Sequence, residues 1–439
     1  MPNPTDGRHA ELLRNAFEAA VRAVQPGPAT SGPGSLGEHL AECFPEPPAG
    51  RMVVVGAGKA AAAMAQAAEA HYHPRLGDGR KLEGLVVTRY GAALPTESIE
   101  VVEAGHPIPD EAGRQATQRV LRLVRKLGPG DLLLCLISGG GSALLTAPAG
   151  VSALEQADLT RALLRSGATI QEMNVVRKHL SHIKGGRLAA ASPARVVSLI
   201  LSDVAGDDPS AVASGPTVPD PSTFQQALDV LDRYGLEARA ARAYLERGAA
   251  GEIPETPKPG DPLFDRVHNH IVAGAQRMLE AAAAHLEAHG IRALILSESL
   301  TGEARQAAVF HAALARQVRS HGQPAEPPCA LISGGETTVT VRGRGRGGRN
   351  TEFLLALGLA LGGLPGVHAL AADSDGIDGD SDNAGALLGP DAFARVSRPE
   401  AARMLDDNDS YAFFERAGGL LVTGPTHTNV NDLRIVLIL

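Results

Sequence analysis

The residues best able to do chemistry in this chain cluster around glycine. In "VVVGAGKAA" (53–61), Gly56 and Gly58 follow an apolar run and Lys59 precedes an alanine-rich stretch. Gly56-Ala57-Gly58 with Ala61 fits the turn that brings backbone close to a phosphate at a helix N-terminus. As a dinucleotide signature it is incomplete, because the next strand, "GLVVTRYG", ends in Thr88-Arg89 where a ribose-binding acid is wanted. Nor is it a Walker A loop: Val53 stands where its first glycine belongs, and Ala60 where Ser or Thr follows the lysine. A lysine at the start of a helix opposes the helix dipole at a cost of about 0.3–1 kcal/mol, a term that a bound anion reverses. Lys59 is therefore aimed at a transferable phosphate or a carboxylate.

Two further glycine turns end apolar runs. "LISGGGSALL" offers Ser138, Gly139, Gly140, Gly141 and Ser142, and "LISGGETTV" offers Ser333, Gly334 and Gly335 with Glu336 behind them. Such turns can present amides and a hydroxyl to an anion, or the echo can be two uses of one tight turn. "LILSDVAGDDP" leaves a buried strand with Asp203 at its exit, where a carboxylate can hold Mg²⁺ or take a proton from a substrate hydroxyl. His106 in "GHPIP" is a rival base. "MNVVRKHLSHIKGGRLA" carries Arg177, Lys178, His179, Lys184 and Arg187, which for the most part read as one solvated basic face.

"RGRGRGGRNTE" (342–352) would suit an RNA-binding Gly-Arg segment if it were long and repeated. It is short, and Arg349-Asn350 opens a helix, so an arginine clamp on a phosphoryl group is the stronger expectation. "ADSDGIDGDSDNAGA" places aspartates at 373, 375, 378, 380 and 382. Counted from Asp378, the sixth position is Asn383 and the twelfth Gly389, which excludes an EF-hand. Asp373, at a strand end, and Asp375 are the candidate metal ligands.

These residues need elements to hold them. Strands are expected at 52–55, 84–88, 99–103, 131–137 and 196–201, with helices at 8–24, 58–71, 110–127, 152–165 and 172–191. Continuous apolar strands alternating with amphipathic helices predict a doubly wound, Rossmann-like parallel sheet covered on both faces. The proline-rich 251–264 reads as a linker between an N-terminal domain, 1–250, and a smaller mixed α/β domain, 265–439. In the second domain a helix at 267–289, a strand at 292–296 and a helix at 301–320 precede a hairpin after Cys329. A helix at 350–361, a strand at 367–372 and two late strands follow, the last of which could belong to either sheet.

The 439 residues call for two domains, and a formal charge of −8 gives no global basic field to attract nucleic acid or anionic lipid. Cys43, Cys135 and Cys329 are scattered and read as buried thiols. The N-terminus lacks a signal peptide's apolar core and no apolar run approaches about 20 residues, so a cytoplasmic chain that enters no membrane is expected.

Taken together the segments above, with "EAGHPIPDEAG" and "GLLVTGPTHTNVNDLRIVL", resemble the glycerate 2-kinase family, built from an N-terminal glycerate-kinase domain and a C-terminal MOFRL domain at about 328–439. The eponymous Met-Asn-Phe-Arg-Leu appears here as Val-Asn-Asp-Leu-Arg. The resemblance implies a cleft between two α/β domains and ATP-dependent phosphorylation of D-glycerate at its C2 hydroxyl, with Mg²⁺. It places the family's active-site lysine on Lys59 and its arginine on Arg349, with Lys59 or Arg187 available to the substrate carboxylate. Partners are then D-glycerate and ATP, neither nucleic acid nor membrane, with a second copy of the chain as a candidate. NAD(P)H-dependent hydroxypyruvate reduction is the competing activity.

Overall fold

Segments that are apolar on both faces have nowhere stable to go but the middle of a covered sheet. Met52–Ala57 (β1), Leu82–Arg89 (β2), Ile99–Ala104 (β3), Leu132–Ser138 (β4), Arg195–Leu201 (β5) and Val267–Ala273 (β6) form one six-stranded sheet in the computed structural model. The structure describes residues 4–27, 35–76 and 82–439. Strand order is β3-β2-β1-β4-β5-β6, the doubly wound order, and the pairings among β1 to β5 are all parallel. Every residue of β1 and β4 is buried. Val53, Val55, Leu133, Cys135 and Ile137 share one core with Val120 and Val124 of the helix Glu111–Val124.

Three expectations fail in this half. The helix foreseen at 172–191 is two helices, Ile170–His179 and Arg187–Ala190, because Gly185 and Gly186 adopt positive φ values of 56° and 79°. The proline-rich 251–264 is no free linker: Glu255 accepts from the backbone N–H of Phe224 and contacts His179, and Thr256 donates to Asp220. The chain instead continues into β6, an edge strand where a helix was expected, since the β-branched and alternating "VHNHIVA" suits a half-exposed ladder.

The second sheet runs β11-β10-β9-β12-β8-β7, where β7 is Arg292–Ser297, β8 Cys329–Ser333, β9 Val367–Asp373, β10 Gly385–Leu388, β11 Leu420–Leu421 and β12 Asp432–Ile438. Of its neighbouring strands only β7 and β8 run parallel and the other pairs are antiparallel, so this sheet is mixed. No hairpin follows Cys329. The partners of β8 are β7 and β12, and Thr338 makes only an isolated bridge to Glu303. Fully buried on both faces, β12 lies between β8 and β9, which settles the place of the last strand.

Compact units divide as Pro26–Val272 and as Met1–Gln25 with Ala273–Leu439. The boundary expected at 251–264 therefore falls inside the first unit. The N-terminal helix Pro4–Val24 leaves the domain assigned to it and packs on the helix Ala275–Ala288. Among the described residues no helix is long and apolar enough to cross a membrane. Cys135 and Cys329 are buried free thiols and Cys43 is half-buried.

Candidate active site

In the first sheet the strand order reverses between β1 and β4, the point at which open α/β sheets leave a crevice beyond the carboxyl ends of their strands. Both glycine turns emerge there, since Ala57 pairs with Ile137 and the next residues of each strand are the turns. The Lys59 N–H donates to the Gly139 carbonyl at 2.9 Å, and the Ala60 N–H donates to Ser138 Oγ at 3.0 Å. Gly58, at φ 139°, leaves no room for a side chain: a Cβ would fall 2.0 Å from Ser138 Oγ. Gly140 is left-handed at φ 82°, and its missing Cβ would sit 3.0 Å from His106 Nε2 and 3.4 Å from Lys59 Cγ. Lys59, Gly140 and His106 are thus brought together, with Lys59 and His106 half-buried. His106, ranked below Asp203 as a base on the sequence, borders the cradle at Gly140. Asp203 is half-buried two residues past Leu201, which pairs with Ser138, so it exits on the same edge of the sheet.

Ser138 is completely buried and its hydroxyl supports the turn instead of facing a ligand. Ser142 opens toward Ser214, at 2.9 Å between hydroxyl oxygens.

The basic segment is not a solvated face. Lys178 is buried and lies 3.4 Å from the buried Asp220, while His179 is buried against Glu255. Arg187 has Tyr244, Glu255 and Asp220 as electrostatic neighbours, and its Nε and Nη2 are buried without a hydrogen-bond partner among the described residues. Lys184 is buried and donates to the Leu145 carbonyl; burial first, and then the nearby Arg177 charge, bring its pKa down to about 7. The unfolded chain holds that proton up to about pH 10.4, so between these values it binds more protons than the folded one and stability from this group rises with pH. Lys184→Met should therefore raise the melting temperature more at pH 6 than at pH 9, as differential scanning calorimetry at the two pH values would measure.

In the second unit Arg349, first residue of the helix Arg349–Leu361, is held by three carboxylates. Its Nε donates to both oxygens of Asp432 at 2.9 Å, Nη1 to Glu336 at 2.7 Å and Nη2 to Asp373 at 2.7 Å. Burial alone would lower the pKa of this guanidinium, but Asp432, Asp373 and Glu336 hold it well above its ordinary value. The phosphate clamp expected at Arg349 is in this structure closed on acids, because β12 and β9 place Asp432 directly opposite Asp373. Arg434, fully buried, adds a second guanidinium 2.6 Å from Asp432 and donates to the Gly334 carbonyl. Asn350 Nδ2 donates to Asp432, while Asn350 Oδ1 is buried without a partner among the described residues.

Asp378 is an N-cap supplied from another loop: its carboxylate accepts from the backbone N–H groups of Asn350 and Thr351 at 2.9 Å. Asp375 donates its N–H to Asp373 Oδ1, and its own carboxylate accepts from the Ile377 N–H. Among the described residues no three or more His, Cys, Asp or Glu side chains are grouped to hold a metal ion.

The second echo turn is structural. Ser333 is buried against His311 at 3.0 Å, the Gly334 N–H donates to Ser297, and a Cβ on Gly335 would meet Leu300 at 2.3 Å. The arginine loop lies pinned along 407–411. Asn408 Oδ1 accepts from the N–H groups of Arg342 and Gly343, Asp407 from Arg344 and Asp409 from Arg346. Its alternation puts glycine against that segment and Arg342, Arg344 and Arg346 in solvent. Sequence reasoning missed Asp432 and Arg434, though two charges inside the apolar "DLRIVLIL" were a visible sign. It also missed Asn174 and Ser214, which gave none.

The doubly wound sheet with its lysine-bearing turn at the switch point, and the mixed sheet in the same chain, define a two-domain α/β enzyme of the Rossmann-like kind. Residues 12–246 match the family described as a domain of unknown function, DUF4147, and residues 329–432 match the MOFRL family. A protein of Agrobacterium vitis named as a hydroxypyruvate reductase is 48% identical over 435 residues, 98% of this chain and 94% of that one. The D-glycerate 2-kinase of Thermotoga maritima is 44% identical over 405 residues, 90% of this chain and 93% of that one. A crystal structure of glycerate kinase from Thermotoga maritima superposes with a TM-score of 0.84 at 39% identity, covering 100% of both chains. The chain belongs to the glycerate 2-kinase family.

Proposed function

We propose that the protein transfers the γ-phosphate of ATP to the C2 hydroxyl of D-glycerate, giving 2-phosphoglycerate and ADP. The observation that carries this reading is the cradle in which Lys59, two backbone turns and His106 meet at the switch point. Phosphoryl transfer asks a protein for positioning and charge neutralisation, and this cradle supplies both. Lys59 neutralises the transferring group, the backbone turns fix its position, and Asp203 orients the hydroxyl and takes its proton, with His106 as the alternative base.

The reductase reading fits the same glycine turn less well. The second strand, β2, ends in the buried Thr88 and in Arg89, with no carboxylate at the position that holds a nicotinamide cofactor's ribose.

Asp373, Asp375 and the unpartnered buried Asn350 Oδ1 are hard-oxygen donors suited to Mg²⁺, which takes one or two protein carboxylates beside substrate phosphates. Bound there, Mg²⁺ would neutralise charge on the phosphates. Arg349 fixes Asp373 in place through the 2.7 Å hydrogen bond from Nη2. Asp373→Asn is expected to raise the Mg²⁺ concentration for half-maximal turnover about tenfold, and an unchanged Mg²⁺ titration would remove Asp373 from that role.

Phosphorus NMR of a mixture of ATP, Mg²⁺, D-glycerate and protein tests the whole reading. A 2-phosphoglycerate resonance is expected; a 3-phosphoglycerate resonance would correct the position. Rapid oxidation of NADH or NADPH by hydroxypyruvate, without ATP consumption, would replace the reading with the reductase.

A further inference from the structure

Ser142 follows the cradle glycines and sits at the end of a buried polar chain. Ser214 Oγ donates to Asn174 Oδ1 at 3.1 Å and lies 2.9 Å from Ser142 Oγ. Ser214 is fully buried and Asn174 nearly so. A hydroxyl has one proton to give. Ser214 spends its proton on Asn174, so it accepts from Ser142, and Ser142 spends its own proton on Ser214. What Ser142 then turns to its surroundings is lone pairs alone. A phosphate oxygen, which also only accepts, is the wrong partner for it.

The chain is held by backbone in a sparsely populated conformation. Ala213 and Ser214 are consecutive non-glycine residues in the left-handed region, at φ 51° and 59°, and Gly215 follows at 58°. Such strain persists where the surroundings over-determine it, and it gathers at functional sites. Here Ala213 packs on Gly141, where an added Cβ would fall 2.7 Å from it, and the Ser214 and Gly215 carbonyls accept from the N–H groups of Gly185 and Gly186.

We infer that the Asn174–Ser214–Ser142 chain fixes Ser142 as a hydrogen-bond acceptor for the hydroxyl of the substrate that is not phosphorylated. This rests on the kinase reading above. A 2,3-dihydroxy acid has two hydroxyl protons: the reacting hydroxyl gives its proton to the base, and the second needs an acceptor of its own. Ser142 is that acceptor, and Ser214 and Asn174 are positioning residues that act through it. The device selects a dihydroxy acid over a monohydroxy acid, because an acceptor fixed in the site and covered by bound substrate is left unpaired by the analogue that lacks the group.

Steady-state kinetics with D-glycerate and ATP, and inhibition by D-lactate, test it. Ser142→Ala should raise the KM for D-glycerate about tenfold while leaving the KM for ATP and the Ki for D-lactate within about twofold. Ser214→Ala should raise the glycerate KM several-fold, and that effect should vanish in the Ser142→Ala background, as coupled neighbours require. Asn174→Asp, which can only accept, should keep the glycerate KM near that of the parent, whereas Asn174→Leu should raise it. A raised ATP KM with an unaltered glycerate KM in Ser142→Ala would overturn the inference, as would additive effects in the double variant. Wild-type protein that fails to phosphorylate D-glycerate would defeat the kinase reading itself, which separates the two failures.

Discussion

Lys59→Ala is expected to lower kcat about 10³-fold, the scale set by removing one preorganised charge from a transition state whose stabilisation is mainly electrostatic. The fold should not suffer. Lys59 stands just before Ala60, the N-cap of the helix Ala61–Tyr72, which has no side-chain cap and no acid in its first turn. A cation there opposes the helix dipole, so its removal relieves about 0.3–1 kcal/mol. The melting temperature should hold or rise slightly, and loss of turnover is then chemical and not structural. If kcat survives while the glycerate KM climbs, Lys59 serves the substrate carboxylate instead, the alternative left open by its sequence position. Unchanged kinetics in both parameters would place the phosphate elsewhere.

Removing Arg349 should have the opposite signature, with stability and turnover lost together. Asp432 has no exposed surface and Asp373 almost none, and each is paired to this guanidinium at 2.7–2.9 Å. Breaking a buried pair from one side typically costs about 3–5 kcal/mol, since the partner charge stays behind. Arg349→Ala should therefore unfold at markedly lower urea, with turnover too low to measure. Arg349→Lys keeps the charge, but one ammonium cannot serve Asp432, Glu336 and Asp373 at once, as the planar fork does. It should regain part of the stability and little of the activity. Wild-type kinetics in Arg349→Lys would show that the fork itself is dispensable.

Legibility of the site followed how local its chemistry was. The turn around Lys59 and the glycines at 139–141 could be read because strand, glycine and helix lie next to one another in sequence. The same Ile-Ser-Gly-Gly string, however, ends in two different functions. Ser138 accepts from an amide of a neighbouring turn, whereas Ser333 is spent on His311, 22 residues upstream on another element. Arg349 looked like a free clamp because its three acids lie 13, 24 and 83 positions away.

By itself the sequence determined that two α/β sheets form, where five of the first sheet's six strands run, and which glycine turns leave their carboxyl ends. Those features follow from local apolar period and from the special backbone freedom of glycine. Only the tertiary structure decided that the N-terminal helix packs with the C-terminal residues, that "VHNHIVA" joins the first sheet as its edge, and that β12 sits centrally in the second. It also decided which charges meet. Ion pairs and hydroxyl chains are set by contacts between residues far apart in the chain, and such contacts leave no periodic mark in the order of amino acids.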